Sequence, residues 1–201
     1  DPHKKNFNAK GVNINGKQVL AESTNYYTLT ADYSDYKGIE ADKDRVGKGF
    51  YYVDDFPEEA VDIEPNGIKV VDSKGQEVKG YNSNVYKSAA DAPKEVQDAL
   101  KLQGYQPKGA IQVIEFENRT EFYNKYVRTG EVLTLTVPMT VKAHLNQTGA
   151  KYENTAYQLD FGSAKVTETV VNSVPAPKPN KANFNNCLLY TSDAADDSLR
   201  V

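Results

Sequence analysis

Along residues 49–56, GFYYVDDF, large side chains alternate with a period of two. Phe50, Tyr52 and Asp54 share one face, and Tyr51, Val53 and Asp55 share the other. That period is the signature of a strand, and Pro57 closes it. Residues 109–117 (GAIQVIEFE) and 131–145 (EVLTLTVPMTVKAHL) predict two more strands, with Pro138 pointing to an edge or a bulge in the second. Residues 17–31 predict two short strands, or one strand and a turn. Residues 66–78 predict a hairpin turning at Ser73–Gly75, and residues 151–161 and 165–174 complete the set. Short strands separated by turn signals predict an all-β chain with short helical excursions, folded as a β-sandwich.

Two stretches depart from the period of two. Asp91 can cap a helix that runs through Pro93 to Gln103 and stops at Gly104, with Val96, Ala99, Leu100 and Gln103 on one face. A second helix can start at Thr120 and pack through Phe122, Tyr123, Tyr126 and Val127. Both are expected at the edge of the sandwich.

The 201 residues carry 14 Tyr, 7 Phe and no Trp, a composition suited to half-exposed sheet. The net charge of −4 gives no reason to expect nucleic acid. No apolar run approaches the length that would insert into a membrane, and the first residues contain no secretory h-region. The Pro/Lys segment 175–181 reads as a linker. It separates a domain at 1–177 from residues 178–186, where Asn180–Asn185 echoes His3–Asn8 as the start of a second, similar domain. Residues 187–201 hold the single cysteine, Cys187, and read as a non-native tail. With one cysteine and two distant histidines, His3 and His144, disulfides, zinc sites and a histidine triad are not expected.

Several stretches carry a more specific signal: NGKQVL (15–20), TNYYTLTADYSDYKG (24–38), KGFYYVDDFPEEAVD (48–62), APKEVQDALK (92–101), PKGAIQV (107–113), TVPMTVKA (136–143) and YENTAYQLDFG (152–162). In this order they resemble the second C-terminal domain of the antigen I/II family of streptococcal surface adhesins. The resemblance implies a modified immunoglobulin-like (DEv-IgG) sandwich on a Gram-positive, peptidoglycan-anchored surface protein. It also implies partners among host glycoproteins or other bacterial surface proteins, beside neighbouring domains of the same chain. Ala31 stands where the family usually has Trp.

The same resemblance implies a Lys–Asn isopeptide bond assisted by an acid. A lysine amine attacks only when neutral, a form that an apolar core favours, and a protonated carboxyl can activate the amide and relay the proton to departing ammonia. Lys4 is the expected nucleophile because its Pro-x-Lys context recurs at Lys181. Lys5, on the strand face of Phe7, is the alternative. Asn154, between Tyr152 and Ala156, is the expected electrophile. Asp54, which continues the Phe50–Tyr52 face, is the expected acid, with Asp55 and Asp32 as alternatives. A single self-reaction does not turn over, so the chain is not read as an enzyme and requires no cofactor.

Residues 92–113 resemble the family's adherence region. Helical spacing puts Lys94, Glu95, Gln97 and Lys101 on the exposed face, although Gly104–Lys108 replaces the family's Asn-Ile-Thr-Val-Lys-like stretch. The acidic pairs Asp32/Asp35 and Asp42/Asp44 could hold calcium. A glycan-binding sandwich using surface tyrosines is a competing reading, and a hydrolase using Glu58 and Glu59 is another.

Overall fold

The computed structural model describes residues 1–178. The repeat at Lys181 and the tail with Cys187 lie outside these residues, as does the second-domain start beyond Lys178. The first sheet contains β1 (His3–Phe7), β2 (Thr24–Asp32), β4 (Val61–Ile63), β5 (Lys69–Val71) and β8 (Val132–Val141). The second contains β3 (Phe50–Asp55), β6 (Tyr81–Tyr86), β7 (Ile111–Phe116), β9 (Lys151–Asp160), β10 (Ser163–Val166) and β11 (Val170–Ser173). Every ladder between these strands is antiparallel. The first sheet runs β1-β2-β8, with β4 and β5 end to end along the far side of β8. The second runs β6-β7-β3-β9, with β10 and β11 end to end along β9.

Tyr27, Leu29, Leu135, Val137 and Met139 from the first sheet face Phe50, Tyr52, Ile114, Tyr152 and Ala156 from the second, forming the main core. Pro138 lies on an inner strand and neither on an edge nor in a bulge. Its carbonyl accepts the Glu64 N–H at 2.9 Å on the side where β4 has ended and β5 has not begun, so its missing donor falls in that gap. Gly67 fills the gap so closely that an added Cβ would lie 2.6 Å from Pro138 Cγ.

The strand expected over 165–174 is two strands. Along β9 the partners move six residues, from Asp160 to Asn154, while the facing chain moves seven, from Ser163 to Val170. The extra residue makes a bulge at Thr167–Thr169 and reverses which side chains face inward. Upstream, residues 17–20 form no strand, but Val19 N–H donates to Ser173 O at 2.8 Å. The 66–78 turn is held by Asp72, whose Oδ1 accepts the N–H groups of Lys74 and Gln76.

The helices also differ from expectation. The single turn α1 (Lys43–Val46) follows Asp42, which caps it through Arg45 N–H at 2.9 Å. Helix α2 (Lys94–Leu102) begins after Pro93, and Asp91 sits in a preceding 3-10 turn, so it is not the cap. It lies over the face of the second sheet and not at its edge. Val96, Ala99 and Leu100 join Tyr51, Val53, Ile111, Val113, Tyr157 and Leu159 in a second apolar cluster. This explains why β3 is buried on both faces. Gln103 is exposed at the C-cap and is not part of that packing face. Helix α3 (Arg119–Phe122) is capped by Asn118, two residues before Thr120, and continues as a π turn to Val127. Phe122 packs at 4.0 Å on Phe116 and at 5.1 Å on Phe50, closing one end of the core. Ala31 is fully buried in that core, where Tyr33 and Tyr52 supply aromatic volume.

Candidate cross-link site

The strand β1 alternates exposed and buried, so His3 and Lys5 face outward while Lys4 and Asn6 face inward. Lys4 is 2% exposed, and its Nζ lies 2.9 Å from Oδ2 of Asp54, which is 5% exposed. The Nζ also stands 5.1 Å from the centre of the Tyr27 ring on β2. Asp54 on β3 is in register with Ala156 on β9, two residues beyond Asn154. Asn154 is fully buried, and its Nδ2 has only the Met139 Sδ, at 3.6 Å. Its amide is a neighbour of both the Asp54 carboxyl and the Tyr27 hydroxyl. Lysine, acid and amide thus meet between the sheets: the lysine from the first, the other two from the second.

Two acceptors here lack a donor, Asp54 Oδ1 and Asn154 Oδ1. Buried polar atoms are rarely left so, and each orphan carries a substantial desolvation cost. A proton on Asp54 Oδ1 would convert that atom from an orphan acceptor into a donor for the amide. Burial raises the Asp54 carboxyl above the ordinary carboxylate range, and the Lys4 ammonium and Asn154 amide offset only part of the rise. The void lined by Lys4, Tyr27, Asp54 and Ala156 measures about 10 Å³, at the threshold for one water.

The alternatives lie elsewhere. Lys5 is exposed and pairs with Thr28. The Asp55 side chain accepts Lys108 N–H at 3.1 Å, and burial pushes its carboxyl up to about 6. It is half-buried. Asp32 is exposed and accepts Ser34 N–H at 2.9 Å, which holds its carboxyl low.

Sequence reasoning passed over three neighbours of this site. Tyr27 alternates in phase with Asn25 and Leu29, a signal that was present in the sequence. Met139 and Glu168 gave none. At the far end of β1, Asn6 Nδ2 donates to Asn172 Oδ1 at 2.9 Å, and Asn172 Nδ2 donates to the carbonyls of Ile14 and Lys17. This buried amide chain ties β1 to β11.

On α2, Lys94, Glu95 and Lys101 are exposed. Lys94 pairs with Asp98 at 2.8 Å and Glu95 approaches Arg119 at 3.6 Å. Gln97 is not free on that face: its amide turns back to the Ala90 and Ala92 carbonyls. Asp32 and Asp42 spend carboxylate oxygens on a turn and a cap. Among the described residues, no group of three or more His, Cys, Asp or Glu side chains is arranged to hold a metal ion. Glu58 Oε2 accepts Ala110 N–H at 2.8 Å, and Glu59 beside it is exposed. No helix among the described residues is long and apolar enough to cross a membrane.

Two antiparallel sheets packed face to face make this an immunoglobulin-like sandwich. The family described as the cell surface antigen I/II C2 terminal domain matches residues 2–174, and the chain belongs to it. It is 29% identical over 181 residues to the aggregation substance of Enterococcus faecalis (strain ATCC 700802 / V583), spanning 90% of this chain and 12% of that protein. The C-terminal domain of the Streptococcus pyogenes antigen I/II-family protein AspA superposes with a TM-score of 0.77 at 29% identity, over 88% of this chain and 52% of that one. The Streptococcus agalactiae BspA C-terminal domain does so with a TM-score of 0.70 at 26% identity, over 89% and 51%. The chain therefore spans about half the length of these solved relatives and a small part of the aggregation substance.

Proposed function

We propose that this is a stalk and attachment domain of a Gram-positive, cell-wall-anchored adhesin, closed by an isopeptide bond between Lys4 and Asn154. The observation that carries this is the buried Lys4–Asp54 pair beside the orphaned Asn154 amide oxygen. Proton transfer across the 2.9 Å contact leaves a neutral amine and a carboxylic acid. Asp54 then donates a hydrogen bond to Asn154 Oδ1, and Lys4 Nζ attacks Asn154 Cγ. A new Cγ–Nζ amide forms, the Cγ–Nδ2 bond breaks, and Nδ2 leaves as ammonia with the proton that Asp54 relays. The bond would connect β1 in one sheet to β9 in the other, so that pulling on the chain ends would load a covalent link. The self-reaction needs no cofactor and does not turn over.

Family membership supports a role in surface attachment, and we take host glycoproteins or other bacterial surface proteins as the partners, with the Lys94, Glu95 and Lys101 face of α2 as the candidate contact. The test of the closure is the intact mass of the full chain under denaturing conditions, beside Lys4→Ala and Asn154→Ala. A wild-type mass lower by one ammonia, and full masses for both variants, are expected. A folded wild type with its full mass would overturn the cross-link.

A further inference from the structure

Among the described strands β1 forms a ladder with β2 alone, and its one further bridge, Phe7 to Asn13, lies at the far end, so at Lys4 it is an edge, and Lys4 reaches Asp54 only if that edge is held against the opposite sheet. One side chain does this at Lys4 itself. Glu168 Oε1 accepts the backbone N–H of Lys4 at 3.0 Å, while its Oε2 meets His3 Nδ1 at 2.7 Å. Glu168 belongs to the bulge between β10 and β11, which is fastened to the strand that carries Asn154. Thr167 N–H donates to Ala156 O at 2.9 Å, and Thr167 Oγ1 accepts Ala156 N–H at 3.0 Å. The hydroxyls of Thr155 and Thr169 meet at 2.7 Å. Ala156 is in turn the register partner of Asp54. A short path therefore runs from the strands holding the acid and the amide, through the bulge, to the backbone of the nucleophile.

We propose that Glu168 is a positioning residue for the Lys4–Asn154 cross-link, locking the backbone of Lys4 to the strand that carries the reacting amide. The proposal rests on the cross-link reading above. Glu168 touches none of the reacting atoms, and its work is to remove the sideways freedom of an edge strand before the bond exists. Displacement of a reacting group by about 1 Å can slow a reaction by about 100-fold, so an edge that frays at His3 and Lys4 would delay closure even in a folded domain. A carboxylate suits the task because it accepts from two donors at once. Burial alone would raise this carboxyl, but hydrogen bonds from His3, from Lys4 N–H and from its own N–H outweigh that and hold it below the ordinary range. It is therefore an acceptor at neutral pH.

The experiment follows ammonia loss in time by intact mass, on full chains made by cell-free synthesis. Glu168→Gln keeps an acceptor for Lys4 N–H, whereas Glu168→Met keeps the length and removes it. Closure is expected to slow by about tenfold in Glu168→Met and to stay within a few-fold of wild type in Glu168→Gln. The folding rate, measured by near-ultraviolet circular dichroism in the non-reacting Asn154→Ala background, should be the same with and without Glu168→Met. Closure at the wild-type rate in Glu168→Met overturns the proposal, as does a slowing matched by slower folding, or a Glu168→Met chain that does not fold. A wild type that folds and keeps its full mass sinks the cross-link reading, and this proposal with it.

Discussion

Lys4 Nζ and Asp54 Oδ2 stand 2.9 Å apart across the gap between two sheets, and almost no solvent reaches either side chain. A buried ion pair is poor at stabilising a fold, because desolvation cancels most of its attraction. Its persistence here is better explained by the Asn154 amide beside it.

The role of the acid can be separated from its charge. Asp54→Asn keeps a polar group of the same shape but has no proton to relay, so the full calculated mass is expected from a folded chain. Asp54→Ala should also block closure, and it strands the Lys4 ammonium, lowering stability by about 3–5 kcal/mol. Urea unfolding beside intact mass measures both, and ammonia loss in a folded Asp54→Asn chain would remove Asp54 from the chemistry.

Closure should show in thermal stability. The bond would enclose about 150 residues, a span for which loop-closure estimates give about 4–5 kcal/mol. For a domain of this size that is a fall in Tm of about 10–20 °C in Asn154→Ala. Lys4→Met combined with Asp54→Leu removes the bond and both charges while keeping apolar volume, and calorimetry should find a similar fall. An unchanged Tm in both would mean that no such bond stabilises the fold.

Asp160 is buried against Tyr33 and Gln158, with Tyr33 OH donating to Oδ1 at 2.9 Å and Gln158 Nε2 donating to Oδ2 at 2.6 Å. Burial pushes its carboxyl up to about 6, although these bonds and Lys165 oppose the rise. An unfolded chain releases this proton near pH 4, so the folded state holds it where the unfolded state does not. The resulting stability is complete below about pH 4 and is lost as pH rises through about 6, by about 2–3 kcal/mol in all. Asp160→Asn cannot ionise. Its urea midpoint relative to wild type should therefore climb between pH 4 and 6, and a constant difference would refute the assignment.

Gly67 tests the gap that accommodates Pro138. Gly67→Ala places a Cβ 2.6 Å from Pro138 Cγ, a stiff ring that cannot swing away, so a loss of about 1–3 kcal/mol is expected. The neighbouring exposed Asn66→Ala should stay within about 0.5 kcal/mol of wild type in the same denaturation series.

The sandwich was legible because its strands announce themselves locally. The Phe50–Asp55 alternation, the Pro57 stop and the Asp72–Gln76 turn are all fixed by neighbours in sequence. Asp54 and Asn154 were legible by type and strand phase, and Lys4 by its Pro-x-Lys context against a phase that pointed to Lys5, with the family resemblance giving all three a role. The breaks were not legible. Pro138 sits on an inner strand because β4 and β5 divide around it, and no pattern near residue 138 records where those strands end. The second face of β3 is buried because α2 lies over it, and α2 is some forty residues away in sequence.

The sequence by itself determined which segments form strands, which side chains each strand turns to one face, and which residue types were on hand for the chemistry. Those properties arise from backbone period and side-chain character within a few residues. The tertiary structure alone decided that β1 and β9 lie in opposite sheets with Lys4 and Asn154 both beside Asp54, that a one-residue bulge aims Glu168 at the Lys4 backbone, and that Asp54 Oδ1 and Asn154 Oδ1 are left without donors. Each of these depends on register between strands far apart in the chain, and register is set by the packing of two whole sheets and not by any single strand.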